Sequence, residues 1–269
     1  MKALNLAVIG KDVSKSTSPE MHSFIAERLG YKVNYQKISI PEAEFESRVE
    51  EFFETLDGFN VTIPYKLTVM PHLKLIEGDA RVFGAVNTVK CSDRSGNNTD
   101  GLGFSLMLKN EGVEVSGKDV LLLGAGGAGR SVAKKLLDSG ATVYVYDKNT
   151  QNAQAVANEF PPVICLNELH LRPYFAIINA TGVGMHKTEG ISPVDEKLIG
   201  LCENAIDLIY TPPKSKFLEL AESLGKKIIN GEAMLFYQAY FAECIYSGLK
   251  PDDSKAKKLF TEYLKEKVK

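Results

Sequence analysis

The chain has 269 residues, 44% hydrophobic and 25% charged, with a formal net charge of −2. That balance is typical of a soluble globular protein and leaves room for one large domain or two ordinary ones. Lys and Arg are spread along the whole chain, which argues against nucleic acid as a partner, and no segment has the ~18 consecutive apolar residues that would span a membrane.

The four cysteines, Cys91, Cys165, Cys202 and Cys244, form no CxxC pair. They suit neither a disulfide framework nor a zinc site, and the histidines are equally scattered. A reducing cytoplasmic setting and no metal are expected.

In chain order, Met1 to Gly10 reads as a first β-strand rather than a signal sequence, because its apolar run is broken by Asn5 and ends at Gly10. Ser16-Thr17-Ser18-Pro19 follows, placing two hydroxyls just before a helix. There they can cap the helix or bind a carboxylate ligand. Asn60-Val61-Thr62-Ile63-Pro64-Tyr65-Lys66 starts as a strand and turns at Pro64.

Cys91 to Gly101 is rich in Ser, Asn, Asp and Gly and reads as a loop, with Asp100 placed to cap the helical stretch Leu102 to Asn110. Alternation of strands with helical stretches through the chain predicts α/β units on largely parallel sheets.

The most diagnostic unit runs from Asp119 to Lys148. Val120 to Leu123 is a short buried strand, Gly124-Ala125-Gly126-Gly127-Ala128-Gly129 a tight turn, Arg130 to Ser139 a helix, and Thr142 to Tyr146 a second strand ending at Asp147. A GxGxxG match alone is weak. Set between a strand and a helix, with an acidic residue closing the next strand, it predicts a dinucleotide-binding fold. Gly124 and Gly126 let the backbone approach a pyrophosphate, and the free N–H groups of the helix start bind its oxygens.

Further on stand Asn179-Ala180-Thr181-Gly182, Asp207 with Tyr210, and Gly231 followed by Met234-Leu235 and Gln238. Taken singly, each motif is explained by packing, capping or solvation. In this order, together with Gly84-Ala85-Val86-Asn87-Thr88, they resemble the shikimate dehydrogenase family over nearly the whole chain.

The resemblance implies an amino-terminal α/β substrate domain, residues 1–102 completed by 236–269, and a Rossmann dinucleotide-binding domain, residues 103–235, with the active cleft between them. It implies reversible reduction of 3-dehydroshikimate to shikimate with NADPH or NADH. Lys66 would be the general acid/base and Asp100 its partner. Ser16 and Ser18 would bind the substrate carboxylate, Asn87 and Gln238 the ring hydroxyls, with Thr62 and Tyr210 near the substrate. Gly124, Ala125, Gly126, Gly127, Ala128, Asp147, Lys148, Thr181 and Gly231 would line the cofactor site.

Hydride transfer to or from carbon needs the oxygen's proton to move in step, which a positioned lysine can arrange, while the cofactor carries the hydride chemistry.

Two departures from the family pattern stand out. Lys15 occupies a position where the family often has His. After the second Rossmann strand, NADP-dependent members carry Asn-Arg-Thr, whereas this chain reads Asp147-Lys148-Asn149. An acidic residue there accepts hydrogen bonds from a free ribose 2′-hydroxyl and repels a phosphate, and Lys148 offsets the repulsion only as a point charge. NAD is therefore expected as the slightly favoured cofactor.

Two other functions remain open: a dehydrogenase that also takes quinate, and a non-catalytic ligand sensor, which would have no need of both Lys66 and Asp100. A small-molecule substrate is expected, with no nucleic acid and no membrane, in a monomer or homodimer.

Overall fold

A computed structural model describes residues 3–267. Met1 and Lys2, which the first-strand reading included, lie outside the described residues, as do Val268 and Lys269. The chain divides into two compact units, one of residues up to Leu106 together with those from Phe236 onward, the other of Met107–Leu235. It passes from one unit to the other inside helices rather than loops.

The first unit opens with β1 (Leu4–Gly10), α1 (Ser18–Leu29), β2 (Val33–Ser39), α2 (Phe45–Thr55), β3 (Gly58–Val61) and α3 (Tyr65–Thr68). It continues through β4 (Leu75–Ile76), α4 (Asp79–Phe83), β5 (Thr88–Lys90), β6 (Ser95–Asn97) and α5 (Asp100–Asn110). Its sheet runs β2-β1-β3-β5-β6-β4. β1 is parallel to both β2 and β3, whereas β5 is antiparallel to β3 and to β6.

Phe45, Val49, Phe52, Phe59 and Tyr65 form its main core. Tyr65 stacks on Phe45, centroids 4.3 Å apart, and its hydroxyl donates to the Ile40 carbonyl. That anchor holds the short helix carrying Lys66. Gly10, at the end of β1, is fixed by crowding: a Cβ there would lie 2.6 Å from the Thr62 methyl.

The Ser/Asn/Gly-rich stretch expected to be loop contains β6. Gly96 explains it, since a Cβ there would meet Leu73 Cδ1 at 2.3 Å. Leu73 and Val86 cover the backbone of a segment whose composition is poor for a strand, and this packing overrides propensity.

The second unit contains β7 (Asp119–Leu123), α6 (Gly127–Asp138), β8 (Thr142–Tyr146), α7 (Thr150–Glu159), β9 (Ile164–Cys165) and β10 (Tyr174–Asn179). It ends with α8 (Glu196–Ile199), β11 (Cys202–Asp207), α9 (Lys216–Ser223) and β12 (Lys227–Ile229). All pairings are parallel, in the order β12-β11-β10-β7-β8-β9.

The expected strand–turn–helix–strand is present, the helix starting at Gly127 rather than Arg130. α6 buries Val132, Ala133 and Leu136, and α9 buries Phe217, Leu218 and Ala221. Register aligns Leu123 with Tyr146 and with Asn179, and Asn179 with Asp207. The segments after these residues therefore leave the sheet at its carboxyl edge, where open parallel sheets bind ligands.

The chain returns to the first unit through α10 (Glu232–Ser247) and α11 (Asp253–Lys267). Phe236 packs against Phe24, Phe260 and Tyr263, with centroids 5.2–6.2 Å apart, joining α1, α10 and α11. Among the described residues no helix is long and apolar enough to cross a membrane, and no three His, Cys, Asp or Glu side chains converge as metal ligands.

Candidate active site

In the first unit, Lys66 Nζ lies 2.5 Å from Asp100 Oδ2, the two side chains 22% and 13% exposed. Backbone bonds set both in place. The Lys66 carbonyl accepts from Val86 N at 2.8 Å, tying α3 to the Gly84–Thr88 segment. Asp100 is the first residue of α5. Asn98 Oδ1 accepts from Asp100 N, and the Asp100 carboxylate faces Lys66 and Asn87.

Asn87, fully engaged and buried, organises the surroundings. Its Nδ2 donates to Asp100 Oδ1 at 2.9 Å, and its Oδ1 accepts from Thr99 N at 2.9 Å and Thr88 Oγ1 at 2.8 Å. Asn60 Nδ2 donates to the Asn87 carbonyl and to Thr88 Oγ1, both at 3.1 Å. Gln238 Oε1 lies 3.4 Å from Thr99 Oγ1, joining α10 to the same group.

Asn87, Asp100, Lys66 and Gln238 are thus brought together. Asn60, Thr88 and Thr99, which hold them, had not been singled out. Their signal in the sequence was a run of small polar residues too apolar in setting to be plain surface.

Ser16 and Ser18 form a pair of their own, Ser16 Oγ donating to Ser18 Oγ at 2.9 Å, both half-buried. Ser16 Oγ also accepts from Ser18 N at 3.2 Å, serving the start of α1, whereas Thr17 at the cap position makes no side-chain cap bond. Thr62 is half-buried at the end of β3, its N–H bonded to the Ile9 carbonyl. Lys15 is exposed.

The second unit presents backbone rather than side chains. Gly124 has φ of +95°, and a Cβ on Gly129 would lie 2.1 Å from the Gly124 carbonyl oxygen, so both glycines are required for the turn itself. A Cβ on Gly126 or Gly127 would meet nothing within 4 Å. No side chain caps α6, so the space in front of its N-terminus suits a diphosphate. Ala125 and Ala128 complete this turn, and a dinucleotide fits the residues present.

Asn179 Oδ1 accepts from Thr181 N and from Thr181 Oγ1, at 3.0 and 2.6 Å, which shapes the next loop. Asn179 Nδ2 donates to Asp207 Oδ1 at 3.0 Å. Asp207 also accepts from Ile209 N and the Ser215 hydroxyl, and burial pushes its carboxyl up to about 6. Tyr210 is exposed just beyond. Gly231 has a packing reason of its own, because a Cβ would lie 2.0 Å from the Leu208 carbonyl oxygen.

Asp147 does not present a free carboxylate. One oxygen accepts from Ala125 N and the other from Asn149 N, each at 2.8 Å. It braces the glycine turn from the end of β8, and Lys148 beside it is exposed.

A parallel six-stranded sheet with a glycine turn at its carboxyl edge, in a chain whose other unit builds a Lys–Asp pair on a mixed sheet, defines a two-unit α/β oxidoreductase with a Rossmann dinucleotide-binding half. Comparison with known proteins gives the family. Residues 8–89 match the shikimate dehydrogenase substrate binding domain and residues 106–187 match shikimate / quinate 5-dehydrogenase.

Shikimate dehydrogenase (NADP(+)) of Carboxydothermus hydrogenoformans is 36% identical over 262 residues, covering 91% of each chain. The shikimate 5-dehydrogenase of Thermus thermophilus, solved in complex with NADP(H) and shikimate, superposes with a TM-score of 0.86 at 35% identity, over 95% of this chain and 98% of that one. A chorismate mutase/shikimate 5-dehydrogenase fusion protein from Clostridium acetobutylicum gives 0.91 at 37% identity, over 100% and 99%. The chain belongs to the shikimate dehydrogenase family.

These findings do not support the leaning toward NAD. Curated relatives are named for NADP(+), and the carboxylate on which that leaning rested is engaged by main-chain N–H groups.

Proposed function

We propose that the protein oxidises shikimate to 3-dehydroshikimate, and catalyses the reverse reduction, with NADP as its working cofactor. The observation that carries this reading is the Lys66–Asp100 pair held by Asn87, set in a chain whose relatives bear that activity's name.

Lys66 is the proton carrier. In oxidation its amine takes the proton of the ring hydroxyl as hydride leaves the same carbon, and in reduction its ammonium returns a proton to the carbonyl oxygen. Asp100, bonded to both Lys66 and Asn87, fixes where Nζ stands. Ser16 and Ser18 hold the substrate carboxylate through their hydroxyls, Asn87, Gln238 and Thr62 surround the ring, and Tyr210 is the second unit's contribution to binding the substrate.

When bound, the nicotinamide dinucleotide supplies the hydride acceptor or donor. The turn from Gly124 to Ala128 and the start of α6 receive its diphosphate, the loops at Thr181 and Gly231 flank it, and Lys148 faces the 2′-phosphate as a point charge.

The test is initial rates of shikimate oxidation with NADP⁺ and NAD⁺ in parallel. A higher kcat/KM with NADP⁺ is expected. Absence of turnover with either cofactor would overturn the reading. Because the second matched family includes quinate in its description, quinate belongs in the same assay. A kcat/KM for quinate equal to that for shikimate would widen the substrate to both.

A further inference from the structure

A buried hydrogen-bonded pair of ionisable side chains stands apart from every residue given a role above. Glu243 on α10 is 0% exposed and His22 on α1 is 1% exposed, with His22 Nδ1 2.5 Å from Glu243 Oε1. The Tyr31 hydroxyl donates to the other carboxylate oxygen. Burying ionisable groups costs several kcal/mol each, and an apolar pair of similar volume is often neutral or stabilising in such a place. Stability alone is therefore a weak reason for this pair.

The pair holds a ring. The His22 imidazole is stacked on Tyr35, centroids 4.4 Å apart and planes inclined by 28°. The Tyr35 hydroxyl donates to Asn60 Oδ1 at 2.8 Å. Asn60 donates to the Asn87 carbonyl, and Asn87 donates to Asp100. His22 itself lies one helical turn beyond Ser18, on the same helix.

We propose that Glu243 and His22 are positioning residues for the substrate site and act through Tyr35 on Asn60 and Asn87. The hydrogen bond to Glu243 fixes the imidazole, the imidazole fixes the phenol ring, and the phenol hydroxyl fixes Asn60, which holds Asn87 against the substrate ring. This rests on the reading of the site as one for shikimate.

The experiment is steady-state kinetics with shikimate and NADP⁺ each varied, on wild type, Glu243→Leu, the double variant His22→Phe/Glu243→Leu, Glu243→Gln and Tyr35→Phe. Glu243→Leu is expected to raise KM for shikimate about tenfold while kcat and KM for NADP⁺ stay within about twofold, the pattern of lost binding that is uniform along the reaction. Gln keeps an acceptor for His22 and is expected to restore KM to within about twofold of wild type.

The double variant replaces the pair by apolar groups. It is expected to melt no lower than Glu243→Leu and yet keep the raised KM. A wild-type KM for shikimate in a folded double variant overturns the proposal, because the pair would then be structural only. So does a loss in which kcat and both KM values move together.

Should the Leu variants fail to fold, Tyr35→Phe decides, since it removes only the hydroxyl. A raised KM for shikimate supports the chain of contacts and a wild-type KM overturns it. Turnover by wild type is read separately. Its absence overturns the reading of the site and this proposal with it, whereas wild-type turnover with unshifted variants overturns this proposal alone.

Discussion

The two units make their sites from different parts of the chain. In the parallel sheet of the second unit, backbone does the work: glycines open a turn, a helix start offers N–H groups, and Asp147 and Asn179 spend their polar atoms shaping loops. In the mixed sheet of the first unit the working groups are side chains, with Lys66, Asp100 and Asn87 held by a buried polar network. The difference sets what a substitution damages. In the first unit a side chain can be removed and chemistry lost with the fold kept. In the second an added methyl group at a crowded glycine costs the fold its stability.

Lys66→Ala gives the largest effect on the first side of this contrast. Removing a general acid/base lowers kcat by about 10²–10⁴. Melting temperature is expected to stay within about 2 °C of wild type, because partly exposed lysine side chains contribute little to stability. A variant retaining wild-type kcat would remove Lys66 from the mechanism, and one that fails to fold would break the contrast between the units.

Gly129→Ala tests the other side. Its Cβ would stand 2.1 Å from a backbone oxygen, which cannot swing away as a side chain can. Overpacking against backbone is expected to cost about 3 kcal/mol or more, read as a fall in melting temperature. Gly126→Ala, where the new methyl meets nothing within 4 Å, should melt like wild type and instead raise KM for NADP⁺ about tenfold, since only a bound diphosphate would feel it. Equal melting temperatures for the two variants would show that the turn is more pliable than its geometry implies.

Much of this contrast was legible in the sequence, and the missing part has physical causes. The Rossmann unit announced itself because a strand, a glycine turn and a helix are local patterns, and Asp119 to Tyr146 fell out with only the helix start displaced. β6 did not, because its strand character comes from Leu73 and Val86 covering Gly96 rather than from its own residues. Asp100 by its own position reads as a cap, and that its carboxylate meets Lys66 and Asn87 comes only from residues distant in the chain.

Asp147 carries more than its identity announces. Its identity suggested a ribose partner, and only the fold shows both oxygens turned to the main chain. The His22–Glu243 pair joins residues 221 positions apart, a contact that no local pattern announces.

Asp207 shows the electrostatic cost of shaping a loop with a buried carboxylate. Burial raises its carboxyl from 3.8 to about 6, so between those values the folded protein holds a proton that the unfolded chain has released. Stability from this group is therefore fully present below pH 3.8 and falls as pH rises toward 6, by at most about 3 kcal/mol at ~1.36 kcal/mol per unit. Asp207→Asn cannot ionise and escapes that fall. Chemical denaturation of both proteins from about pH 4 to about pH 7 should show the variant gaining on wild type as pH rises. A constant offset across that range would mean that Asp207 does not titrate there.

The smallest effect is expected at Asp147, where the two modes of construction meet in one side chain. Asp147→Asn keeps an oxygen for one of the two main-chain N–H groups and gives up the other, a loss of about 1 kcal/mol in stability. It also removes a negative charge close to the position proposed for the 2′-phosphate, beside Lys148. At surface-like screening such a charge is worth on the order of 1 kcal/mol, so the ratio of kcat/KM for NADP⁺ over NAD⁺ is expected to rise about fivefold. The rise should shrink at high salt, because it is a charge effect between partly exposed groups. An unchanged ratio would mean that the carboxylate, held by Ala125 and Asn149, is not felt at the ribose at all, and that this position braces the turn without reading the cofactor.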